Sequence, residues 1–204
     1  MASRRRWMLA LVLLLLGANQ CGDSQRQESA ACGPYPDQGV SLYVLPYPVG
    51  AAYTVGQGNC SDGSHAKGTA AQYAYDFLLP ISSQVVAARG GTVIAIEESF
   101  SDTDHTNGHE NFVDIQHPDG TVGAYVHLTN DGALVAVGDI VARGDAIALS
   151  GNSGNSSAPH LHFAVHGCGN CPSVAVTFRN TRAHPNGLKV GEAYTAEAYS
   201  IGTE

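Results

Sequence analysis

Beyond a leading apolar stretch, short hydrophobic runs alternate with polar turn formers along the chain. The runs are SLYVLPY, YAYDFLL, GTVIAIEE, NFVDIQH, GTVGAYVHL, ALVAV, AIALS, HLHFAVH and SVAVTF. They are rich in β-branched and aromatic residues and are punctuated by turn signals such as Pro118-Asp119-Gly120, Asn130-Asp131-Gly132 and Arg143-Gly144-Asp145. No long helical periodicity follows the leader. The pattern predicts a mainly β protein, with a single antiparallel domain over residues 39–182 and a tail over residues 183–204. Residues 22–38, polar and containing Pro and Gly, read as a linker.

The leader itself has Arg4, Arg5 and Arg6 ahead of an apolar run from Trp7 to Leu16, then the small residues Gly17 and Ala18. This is the layout of a secretory signal peptide over residues 1–21. The run is shorter than the roughly twenty residues a spanning helix needs. The expected location is therefore exported: periplasmic, cell-envelope or extracellular. Cys21 sits where a lipoprotein carries its acylated cysteine, although Gln20 occupies the place before it that usually holds a small residue. Membrane contact is expected only through a retained leader or a lipid anchor.

Composition narrows the class further. A 44% hydrophobic and 14% charged chain is not a disordered one, and ten Lys plus Arg beside 18 Asp plus Glu do not make a polyanion binder. No nucleic-acid partner is expected. Loss of the leader removes three of the ten basic residues and none of the acidic ones, which takes the net charge from −8 to −11. With Cys21 set apart, Cys32, Cys60, Cys168 and Cys171 remain, an even number that suits disulfides in an exported chain. Four cysteines permit three pairings. Cys32 with Cys60 and Cys168 with Cys171 is favoured, because the C-G-N-C spacing already brings the second pair close. No βαβ pattern surrounds C-G-N-C to support a thioredoxin-like role.

The chemistry concentrates in SGNSGNSSAPHLHF, Ser150 to Phe163, where a small, polar loop feeds an alternating strand. Side chains at i and i+2 of a strand share a face about 6.5 to 7 Å apart, so His160 and His162 point one way while Leu161, Phe163 and Val165 point into a core. One such imidazole can ligate a metal while the other stays within reach of bound water. Asp76 interrupts the otherwise apolar Tyr73 to Leu79, and a buried carboxylate demands a cation or donors. His127 ends the run Gly123 to Leu128, with Tyr125 expected on its face, and His65 lies in a turn-like stretch. Val113 stands where H-E-x-x-H needs its second histidine after His109-Glu110, so that motif is absent. Gly151-Asn152-Ser153-Gly154 lacks the spacing of a nucleophile elbow.

Together, S-G-N-S-G before P-H-L-H-F, Y-V-H-L, Y-A-Y-D-F-L-L-P, V-A-A-R-G-G-T-V and V-G-D-I-V-A-R-G-D-A-I-A resemble the lysostaphin-type (LytM-like) zinc metallopeptidases, the peptidoglycan endopeptidases. The resemblance runs from about Leu45 to Val165. It implies a β-sheet or sandwich of the duplicated-hybrid-motif type, with long loops around a groove. It further implies one zinc ion held by His65, Asp76 and His162, with His127 and His160 as the catalytic pair and Tyr125 and Asn152 as supports. The implied activity is hydrolysis of peptide cross-links or bridges in peptidoglycan by a monomer. The alternative is a non-catalytic wall-binding or regulatory module on the same fold. One departure stands out: the usual first ligand lies four residues before the aspartate, whereas His65 precedes Asp76 by eleven. His105 and His109 are the substitutes if His65 does not ligate. Otherwise these two, with His117, His166 and His184, read as surface histidines.

Overall fold

The computed structural model describes residues 32–200; the expected signal peptide, Cys21 and residues 22–31 of the expected linker lie outside the described residues. Among the described residues are eleven strands: β1 (Ala52–Gln57), β2 (Tyr75–Phe77), β3 (Gln84–Val86), β4 (Gly91–Glu97), β5 (Phe112–Gln116), β6 (Val122–Val126), β7 (Leu128–Ala133), β8 (Ile140–Val141), β9 (Ala146–Ser150), β10 (Leu161–His166) and β11 (Ala193–Thr195). Eight form one sheet in the order β11-β1-β2-β10-β6-β5-β4-β8, and three form a second, β3-β9-β7. The ladders are antiparallel, in keeping with a mainly β fold.

Alternation in the sequence decides which side of the large sheet is dry. On β10, Leu161, Phe163 and Val165 are fully buried while His162 and His166 are half-buried. On β5, Val113 and Ile115 are buried and Asp114 between them is not. These inward side chains join Phe77 and Tyr125 in one core with Val85, Ile147 and Ala148 of the small sheet. Each large apolar side chain so buried contributes about 1.5–3 kcal/mol. The opposite face is left for polar residues. There, register sets His162 directly between Asp76 on β2 and Val126 on β6, with Phe112 of β5 paired to Val126 beyond.

Three runs that pattern predicts as strands depart from it: residues 134–137 lie beyond β7, which instead takes in the expected turn Asn130-Asp131-Gly132, and residues 41–47 and 173–178 are core segments that meet at an isolated bridge between Tyr43 and Phe178. Pro46 and Pro48 cannot donate to a ladder. Neighbouring groups serve the backbone there: Val44 N donates to Ala88 O and Leu45 N to Asn180 Oδ1. Residues 183–204, expected as a tail, supply β11, which pairs with β1 through Tyr53 and Tyr194. His117 and His184, expected at the surface, are both 3% exposed. His184 Nε2 accepts from Phe178 N and its Nδ1 donates to Arg182 O, while His117 Nδ1 donates to Gly90 O. A short polar context hid how deeply each of these rings is packed.

Candidate active site

Three donor atoms converge on the polar face of the large sheet. His65 Nε2 lies 3.3 Å from Asp76 Oδ1, His162 Nδ1 lies 2.9 Å from the same oxygen, and the two nitrogens are 3.2 Å apart. The edges of a tetrahedron around an ion with bonds of about 2.0–2.1 Å are about 3.3–3.4 Å, so this triangle fits a metal with little adjustment. Two imidazoles and one carboxylate form a donor set that would suit zinc. Burial pushes the Asp76 carboxyl up, but hydrogen bonds from His162 and His65 outweigh it and hold the group well below the usual carboxylate range. The carboxylate is thus ionised, as a ligand must be.

His160 and His127 flank this triangle. His160 Nε2 is 3.8 Å from Asp76 Oδ1, and the His127 and His160 rings lie 4.5 Å apart. Each is oriented by a backbone carbonyl: His160 Nδ1 donates to Ala158 O at 2.8 Å and His127 Nδ1 to Ser153 O at 2.7 Å. Because a carbonyl only accepts, both rings place a proton on Nδ1, and in the neutral tautomer so fixed Nε2 is the acceptor. Burial, reinforced by the neighbouring His160, pushes His127 down to about 4.

The expected supports divide. Asn152 Oδ1 accepts from the Ser156 hydroxyl, which also contacts His160 Nδ1 at 3.1 Å, so Asn152 reaches the site through Ser156. Tyr125 does not reach it. Its ring is fully buried beside Phe163 and its hydroxyl accepts from Ala88 N in the core. Strict alternation would send His127 inward with Tyr125, but His127 has a φ of 64°, a left-handed backbone that turns its ring to the groove. His105 is exposed, and His109 pairs with Asp104 at 2.8 Å while stacking on Phe100; neither joins the triangle. Ser153, Ser156 and Ala158 were not singled out by sequence, since two of them act through the main chain; the small, polar loop was the available signal.

The profile of peptidase family M23 matches residues 70–174, half of the chain, and that span carries Asp76, His127, His160 and His162. The chain belongs to peptidase family M23. It is 36% identical over 93 residues to the peptidoglycan DD-endopeptidase ShyA of Vibrio cholerae, covering 44% of this chain and 19% of that protein. It is 33% identical over 119 residues to lysostaphin of Staphylococcus simulans, covering 58% of this chain and 19% of the relative. The chain thus spans about a fifth of the length of these curated relatives. Among solved structures, the deep-sea M23 metalloprotease pseudoalterin shares the fold with a TM-score of 0.52 at 20% identity, over 77% of this chain and 96% of that one.

The family match begins five residues after His65, so the fold has to bring this M23 chain's third donor in by other means. The loop from His65 to Asp76 is anchored on two sides. On one, the Cys32–Cys60 disulfide adjoins it: Cys60 N donates to Gln72 O, and the Tyr73 hydroxyl donates to Cys32 O. Asn59, in the orientation that satisfies all four partners, donates to the Tyr73 and Ala74 carbonyls and accepts from the Tyr35 and Tyr75 hydroxyls. On the other side, the Cys168–Cys171 disulfide closes a hairpin whose Ser173 accepts from Tyr73 N and donates its own N–H to Ala70 O. Within the loop, the Thr69 hydroxyl donates to Ser64 O beside His65. His65 is thereby held fully buried.

Proposed function

We propose that this chain is an exported zinc endopeptidase that hydrolyses peptide cross-links or bridges in peptidoglycan. The observation that carries the reading is the meeting of His65 Nε2, Asp76 Oδ1 and His162 Nδ1 within 3.3 Å of one another beside a histidine pair. The names of the relatives, a peptidoglycan DD-endopeptidase and lysostaphin, support the substrate class. A leader of the secretory type supports the compartment.

Bound by the three donors, zinc would supply Lewis acidity, lowering the pKa of water and polarising the scissile carbonyl. The protein's own groups then handle the protons. His160, nearest the triangle, accepts the proton of the attacking water at its free Nε2, while Ala158 O and Ser156 hold the ring in place. The protonated imidazole afterwards returns that proton to the leaving amine. His127, neutral at working pH and 4.5 Å from His160 ring to ring, shares that one proton with its neighbour, so it carries charge mainly while negative charge develops on the substrate oxygen. The test is dye release from labelled cell walls by the wild type, by the chelated protein and by His162→Ala. Release by the wild type alone is expected, and equal release in all three overturns the reading.

A further inference from the structure

The triangle and the histidine pair open into a cavity of about 570 Å³ that crosses the strands of the large sheet. Its two ends differ chemically. At the β1–β2 end the walls are Gln57, Ser64 and Leu78, which carry no charge. At the β5 end stand Asn107, Asn155 and Glu110, above a floor of Phe112 and Val126. Among the described residues no Lys or Arg lines the cavity, and Asp76, its other carboxylate, is already committed to the donor triangle.

Glu110 is fixed in place. Its Oε1 accepts from Asn155 N at 3.0 Å and its Oε2 from Gly108 N at 3.0 Å. A Cβ added at Gly154 would lie 2.4 Å from Glu110 Cγ, so the glycine, with a φ of +72°, is what lets the loop before His160 close against this side chain. Its backbone donors do not exhaust the carboxylate, which offers about four lone-pair sites. Burial pushes the Glu110 carboxyl up, but the N–H groups of Asn155, Glu110 and Gly108 outweigh it and hold the group below its ordinary value, hence charged at neutral pH.

From these observations we infer that Glu110 is a specificity-determining residue, one that selects peptides bearing a free ammonium on the part of the substrate lying at the β5 end of the groove. Two strand spacings of about 4.8 Å separate β10 from β5, and an extended peptide advances about 3.3 Å per residue. The recognised cation therefore belongs to a diamino acid within about three residues of the scissile bond. The acidic charge of the chain as a whole cannot give this positional selectivity, because it acts from every direction and is screened within about 8–10 Å by salt.

The inference rests on the peptidase reading, and two measurements keep them separable. Hexaglycine peptides carrying one lysine, or one norleucine, at each position are titrated into the zinc-treated protein and followed by NMR, while dye release from labelled walls is run in parallel. At one or two adjacent positions lysine should bind at least about fivefold tighter than norleucine. Glu110→Gln should bring that ratio to about one, by weakening the lysine peptide alone. The glutamine keeps an oxygen for Asn155 N, so a merely structural role would weaken both peptides equally. Glu197→Gln, which removes the same charge at an exposed site, should leave the ratio unchanged. Glu110→Lys should reverse the preference toward a glutamate-bearing peptide. No lysine preference, an equal loss for both peptides in Glu110→Gln, or no binding by any lysine peptide overturns the inference. Wall cleavage without charge selectivity removes the inference and leaves the peptidase reading intact; selective binding without wall cleavage does the reverse.

Discussion

The donor triangle has two kinds of corner. Asp76 and His162 sit on adjacent strands, paired in register, and their approach follows from the sheet itself. His65 sits on a short 3-10 turn, Gly63–His65, at the far end of a loop held by two disulfides and a set of side-chain contacts. The first pair is local in the ladder and supported by the core beneath Phe77, Leu161 and Phe163. The third corner depends on parts of the chain as distant as Cys32 and Ser173. A site can thus be built half from periodicity and half from bracing, and the two halves should fail differently.

The largest effect is expected on the strand side. His162→Ala removes a donor from the ladder and should reduce wall cleavage at least about a thousandfold, with loss of bound zinc measured by metal analysis and little change in Tm of the chelated protein. Retained zinc and activity would show that the triangle is not the centre. Removing the brace should act more gradually. Cys32→Ser with Cys60→Ser should cost about 2–4 kcal/mol in denaturant unfolding and weaken zinc about ten- to a hundredfold in a competition titration, because His65 loses its fixed approach. Cys168→Ser with Cys171→Ser opens a much shorter loop and should cost less stability. If zinc affinity is unmoved in both pairs, the loop holds His65 without them.

The pH dependence of stability sharpens the strand side further. His127 is pushed down to about 4 in the folded protein against about 6.5 when unfolded, so folding favours its neutral form. Its contribution is complete above pH 6.5 and is lost as the pH falls toward 4, by up to about 3 kcal/mol. Denaturant titrations of the chelated protein at pH 7 and pH 4.5 should show this loss, and His127→Gln should flatten it. The smallest effect is expected at the loop that orients His160. Ser156→Ala removes the hydroxyl's contacts to Asn152 and His160 and should lower kcat about fivefold with KM unchanged. A change in KM instead would place Ser156 against substrate.

Much of this was legible in the chain. The run HLHFAVH has one frame that buries Leu161, Phe163 and Val165, and that frame leaves His160 and His162 available. Asp76 was conspicuous as a carboxylate in an apolar strand. Tyr125 was misjudged because alternation was carried one residue too far, past the end of β6 at Val126 into the left-handed His127. The prolines at 46 and 48 gave a warning about the first run that its hydrophobicity outweighed. Glu110 carried no periodic signal at all; it faces the cavity because the loop at Gly154 and Asn155 folds against it.

The sequence by itself determined the β class, the face of each strand, and the residue types able to bind a metal, because period and composition act within a few residues. It also carried the disulfide pairing as a preference. Tertiary structure decided that His65 rather than His105 or His109 completes the triangle, that His127 turns outward, and that Glu110 lines the groove. Those outcomes depend on contacts between segments tens of residues apart, whose spacing no local pattern encodes.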